Sequence, residues 1–118
     1  MTRMLSLSSF IRMNYRFMRV IVMFDLPVVT HSERREYRLF RKYLIKSGFM
    51  MLQESVYCKL VPNSNAGEAL VENIKKHKPG DGLVQVLRVT EKQFSKMDYV
   101  VGEKRGDVID TDERLIIL

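Results

Sequence analysis

The chain has 118 residues and a mass of 13.9 kDa, 46% of them hydrophobic and 29% charged, which is one soluble globular domain with a real core and not a disordered tail. Its one cysteine, Cys58, excludes an intrachain disulfide and a cysteine-built zinc site and fits a reducing, cytoplasmic setting. The net charge of +6 points to a polyanionic partner, and the excess sits in the first half: residues 1–60 carry 11 Lys and Arg against 4 Asp and Glu, residues 61–118 carry 9 against 10.

Residues 1–15 read as a flexible N-terminal extension, with residues 16–118 as a single domain. Ser6, Ser8 and Ser9 break the early apolar run, so it does not form a secretory signal, and Met13 and Met18 are alternative starts. No later segment approaches the roughly 18 apolar residues of a membrane span. Residues 20–24, Val-Ile-Val-Met-Phe, are apolar on both faces and β-branched at the start, which predicts a central strand. Asp25 follows, and Pro27 stops the strand, so the carboxylate is left at a strand end, where sheets often place chemistry. Two roles stay open for Asp25 on local sequence: an acid used in chemistry, or a cap for the turn.

Thr30 or Ser32 caps a predicted helix that Gly48 ends. Glu33, Tyr37, Phe40 and Leu44 share its inner face, while Arg35, Arg38, Lys42 and Lys46 form a stripe on nearly the opposite one. A charged stripe is usually a solvated face, but four bases without an acid suit phosphate contact better than intrahelical pairing. Residues 49–61 then alternate, with Glu54 interrupting the apolar face, and predict one long strand kinked at Gln53-Glu54-Ser55. A turn over residues 62–67 leads into a second helix that runs to about His77, with Ala66, Leu70 and Ile74 facing inward. Lys75, Lys76 and Lys78 complement the dipole at its end. Cys58 reads as packing and His77 as a surface residue, since no spacing relates it to His31 as a metal ligand pair.

Pro79-Gly80-Asp81-Gly82 is a turn, residues 83–90 a largely apolar strand, residues 91–97 a helical turn, and residues 99–102 a short strand. Leu115, Ile116, Ile117 and Leu118 make an apolar terminus that needs a sheet edge to cover it. The order matches an α+β, ferredoxin-like βαββαβ sandwich with an extra C-terminal strand. Phosphate loops, H-E-x-x-H and Ser/His/Asp or Cys/His sets are missing from the sequence. One strand-end acid is a poor magnesium site, but a homodimer would bring two copies of Asp25 together across a two-fold axis.

Phe24-Asp25-Leu26-Pro27, the Arg-rich helix after it, Met51-Leu52-Gln53-Glu54-Ser55-Val56-Tyr57 following Gly48, and the stretch from Gly82 through Val89-Thr90-Glu91-Lys92-Gln93 resemble family two of the CRISPR-associated proteins, the small adaptation protein. The resemblance covers residues 16–118. It implies a ferredoxin-like homodimer whose C-terminal segment pairs with the other subunit's sheet, which would give Leu115, Ile116, Ile117 and Leu118 their edge. It also implies a spacer-acquisition role, in which the dimer bridges dimers of the family-one integrase and holds a prespacer DNA duplex. Some members are magnesium-dependent nucleases on single-stranded RNA or double-stranded DNA, with the acid matching Asp25 as the catalytic and metal-binding residue. The Gln-Glu-Ser-Val-Tyr and Tyr-Val-Val-Gly variants point to a type II system.

Two function classes follow. As a binding module, the protein would neutralise backbone phosphates with Arg16, Arg19, Arg35, Arg38, Lys42 and Lys46; as an enzyme, it would hold magnesium between two Asp25 carboxylates. The first is the preferred biological role. An RNA-binding or toxin-type endoribonuclease domain outside this family is the alternative, and it loses ground because the central strands lack a base-stacking aromatic set.

Overall fold

In the computed structural model, which describes residues 17–103, the elements run β1 (Met18–Asp25), α1 (His31–Lys46), β2 (Met50–Gln53), β3 (Val56–Val61), α2 (Ser64–Lys76), β4 (Leu83–Thr90) and α3 (Glu91–Ser95). The strands form one antiparallel sheet in the order β2-β3-β1-β4. This is the ferredoxin-like βαββαβ arrangement, with β1 at its centre between β3 and β4. The expected N-terminal extension, Arg16 and the terminal Leu115, Ile116, Ile117 and Leu118 lie outside the described residues.

Strand alternation divides β1 between two environments. Val20, Val22 and Phe24 point into the layer of α1 and α2, where they pack with Phe40, Leu44, Tyr57, Val61 and Ile74. Phe24 is the hub: its ring meets Phe40 edge-on at 5.3 Å and Tyr37 at 5.8 Å, and stacks with Tyr57 at 5.8 Å. Burial of such a ring is worth about 1.5–3 kcal/mol, so the residue just before Asp25 is firmly anchored. Tyr57 brings a hydroxyl into this core, and Arg41 Nε of α1 satisfies it at 2.7 Å.

Local chemistry sets the helix ends. Thr30 and Glu33 form a capping box at the start of α1, and Gly48 (φ +94°) follows its end in a conformation that favours glycine. At α2 the cap is Asn63, whose side chain accepts from Ala66 N–H, so the helix begins inside the stretch expected to be a turn. Gly82 matters differently. Its φ is +96°, and a Cβ there would stand 2.7 Å from the Asp25 carbonyl oxygen and 2.8 Å from Leu26 Cδ2. Only a glycine lets β4 begin this close to the end of β1.

Two expectations need correction. Residues 49–61 are not one kinked strand but a β2–β3 hairpin, with a register shift between Met51 and Gln53. Its turn places Ser55 at φ 67° and lets Ser55 O accept from Phe24 N–H at 3.0 Å. Residues 99–102 form no strand, with bends at Val100, Val101 and Gly102, while the helical turn after β4 is present as α3, opened by a Thr90–Gln93 capping box.

Candidate functional site

The acid and the basic stripe occupy different surfaces. Alternation puts Asp25 on the same side of β1 as Ile21 and Met23, opposite the helix layer. It is exposed, faces Leu83 of β4 in register, and lines a shallow groove of about 280 Å3 with Glu54, Ser55 and Gln85. Its carboxylate has no hydrogen-bond partner among the described residues, which argues against the turn-cap role. Glu54 is the residue that sequence reasoning missed here. It lies far from Asp25 in the chain, and the pairing of Met23 with Val56 brings its turn beside the strand end.

Two carboxylates with hydroxyl and amide oxygens form a hard, all-oxygen donor set of the kind magnesium accepts. Among the described residues, no three His, Cys, Asp or Glu side chains are grouped to hold a metal ion. One chain therefore supplies a partial site.

The stripe lies on an exposed face of α1. Arg35, Arg38, Lys42 and Lys46 are all exposed and have no ion-pair partner among the described residues. The acids of the same helix are engaged elsewhere. Glu33 accepts from the amides of Val29 and Thr30, and Glu36 Oε1 accepts from Gly80 N–H at 2.7 Å. Two further bases of α1 have structural duties: Arg34 Nη1 donates to Val29 O at 2.6 Å, and Arg41 holds Tyr57. What remains is a row of four unneutralised cations.

Arg19 does not belong with them, contrary to expectation. Its side chain is fully buried on the sheet face opposite α1 and α2: Nε donates to Glu91 Oε1 at 2.8 Å, Nη2 pairs with Oε2, Nη1 lies 3.9 Å from Cys58 Sγ, and the guanidinium sits 4.4 Å from the Phe94 ring centre. Burial works against its charge, but the hydrogen bond and charge of Glu91, with a smaller contribution from Cys58, outweigh that and raise its pKa above the ordinary arginine value. A guanidinium held this way cannot reach a phosphate. Cys58, fully buried, is the packing residue expected.

The rest of that face mixes apolar side chains, most of them half-buried, with the exposed Asp25 and Gln85. Ile21, Met23, Leu52, Val56 and Leu87 line a trough of about 490 Å3 with Tyr99, and Leu87 is 49% exposed. No described helix is long and apolar enough to cross a membrane.

Residues 18–97 match the family model described as CRISPR associated protein Cas2. The chain is 56% identical over 101 residues to the CRISPR-associated endoribonuclease Cas2 of Treponema denticola, covering 86% of this chain and all of that protein. It is 46% identical over 101 residues to the proteins of that name from Streptococcus mutans and Ligilactobacillus salivarius, covering 86% of this chain and 93% and 100% of theirs.

Proposed function

The chain belongs to the CRISPR associated protein Cas2 family, and from that premise we propose that it is a homodimeric subunit of spacer acquisition that bridges dimers of the family-one integrase and grips the prespacer DNA duplex. The observation that carries the duplex-binding part is the row Arg35, Arg38, Lys42 and Lys46, whose charges no described acid offsets. A straight helix face with unpaired cations follows a phosphate backbone without reading bases. Family membership also removes the ground for placing the domain outside CRISPR systems.

The dimer is supported by the apolar trough on this face. An antiparallel sheet with one wet side normally presents polar residues there, whereas this one carries half-buried Ile21, Met23 and Val56 and exposed Leu87 beside Asp25 and Gln85. A second copy packed on that face across a two-fold axis would cover the trough and bring the two Asp25 grooves toward one interface. The eight-residue β4, at the sheet edge among the described residues, is a natural acceptor for Leu115, Ile116, Ile117 and Leu118 of the other subunit. Deleting residues 114–118 should move the sedimentation profile from dimer toward monomer. A wild-type monomer would reject the dimer, and a truncated protein that sediments as an unchanged dimer would reject strand exchange.

Cleavage is the secondary activity of this reading, on single-stranded RNA or on DNA; the relatives' name is endoribonuclease. Asp25, with Glu54 beside it, would hold magnesium, and the ion would supply Lewis-acid stabilisation of the scissile phosphate and an activated water. The chain's own part is positional: Phe24 fixes the end of β1, Gly82 permits the close approach of β4, and Asp25 presents its oxygens to the groove. Asp25→Asn keeps the shape and removes the charge. The variant should lose magnesium-dependent hydrolysis of both substrates by at least about tenfold, the scale of one misplaced metal-site group, with duplex affinity unchanged within twofold. Hydrolysis at the wild-type rate would remove Asp25 from the site.

A further inference from the structure

We propose that the groove between α1 and the C-terminal end of α2 is a nucleotide site, in which the base stacks on the ring ladder that ends at His77 and the phosphate is held by Arg35 and Lys78. Three rings step outward from the core. Buried Phe40 lies 6.5 Å from Tyr43 at 27° between planes, and Tyr43 stacks on exposed His77 at 4.1 Å and 13°. His77 is locked in this pose because its Nδ1–H donates to Asn73 O at 2.9 Å. Such a ladder presents a fixed, flat, exposed ring, which is the platform a base recognises.

The groove beside it measures about 350 Å3, enough for one nucleotide, and Leu39 gives it an apolar wall. Arg35 and Lys78 stand on its rim, exposed and with no ion-pair partner among the described residues. Glu36 also lines it, but its Oε1 is tied to Gly80 N–H at 2.7 Å. Helix-dipole compensation suits Lys75, Lys76 and Lys78 at the end of α2, but it does not account for the stacked pair of Tyr43 and His77. The site is separate from the Asp25 groove and shares Arg35 with the stripe, and His77 and Lys78, which are not in the stripe, distinguish it from the duplex-binding proposal. A free nucleoside monophosphate and an unpaired nucleotide at a strand end present the same chemistry.

Titrating adenosine 5′-monophosphate into the full chain and following backbone amide shifts should move residues 39–43 and 77–80 in a saturable way. His77→Ala should weaken that binding roughly tenfold, the scale of one lost stacking partner, while His77→Phe restores it. Lys78→Gln should weaken the monophosphate but not adenosine. Unmoved groove amides, full affinity in His77→Ala, or inorganic phosphate binding as tightly as the monophosphate would each overturn the site. Two duplexes then separate the sources. Tighter binding of a duplex with a single unpaired 5′-phosphorylated nucleotide than of a blunt one, abolished by His77→Ala, assigns the groove to strand ends; equal affinities assign it to the free nucleotide. Blunt-duplex affinity reads the stripe, so failure of the groove and failure of the proposed function give different results.

Discussion

Glu91→Ala is expected to destabilise the protein by about 3–5 kcal/mol, a third or more of the typical stability of a domain this size. The variant leaves a fully buried guanidinium without both of its forked contacts to the Glu91 carboxylate. Phe94 at 4.4 Å compensates weakly, because a ring face is worth far less than a carboxylate. Thermal unfolding should therefore fall by on the order of 15 °C or more. The double variant Arg19→Met, Glu91→Leu should recover most of the loss, since an apolar pair of similar volume avoids desolvating a guanidinium that has lost its carboxylate. Because the pKa of Arg19 is raised above its ordinary value, its charge is present at all pH values below that value and lost only above it. The stability that Arg19 contributes should therefore be constant between about pH 6 and 9. If Glu91→Ala unfolds within about 0.5 kcal/mol of wild type, Arg19 reaches water after all and belongs with the surface bases.

That pair marks the limit of the sequence reading. Arg19 at the start of an apolar strand looks like any other base in the positive N-terminal half. Its partner lies 72 residues away on a five-residue helix, and only the β1–β4 register brings the two together. The hairpin at Glu54-Ser55 was misread because its positive-φ residue is Ser55, not the Gly or Asn that signals such turns. Residues 99–102 have strand-forming side chains, but they follow α3 and pair with no strand among the described residues. By contrast, β1 and α1 could be read directly. An apolar run closed by Asp25-Leu26-Pro27 has few alternatives to a central strand, and the 3.6-residue period separates Phe40 and Leu44 from Arg35, Arg38, Lys42 and Lys46 without tertiary information. The exposed row was visible, but the fact that Glu33 and Glu36 are committed to backbone amides was not.

Replacing Arg35, Arg38, Lys42 and Lys46 together by Gln carries the largest expected effect on binding. Each lost phosphate contact should reduce the slope of log affinity against log salt by up to about 0.9, and duplex affinity at low salt should fall by well over roughly tenfold. Unrelated sequences should suffer alike if, as proposed, these side chains track the backbone and not base edges. All four residues are exposed and make no described ion pair, so the unfolding free energy should change by no more than about 0.5 kcal/mol per substitution. Loss confined to one sequence, or an unchanged salt slope, would reject backbone tracking by α1.

Spacer integration measured with the family-one integrase tests most directly whether, as proposed, the scaffolding surface on α1 is separate from the cleavage groove at the end of β1. Three assemblies are compared at equal concentration: wild type, Asp25→Asn, and the four-residue Gln variant of the stripe. Asp25→Asn should integrate prespacer duplex at the wild-type level, and the stripe variant should fail although it still forms the complex. Integration that is lost in Asp25→Asn despite normal assembly, or retained in the stripe variant, would contradict that separation.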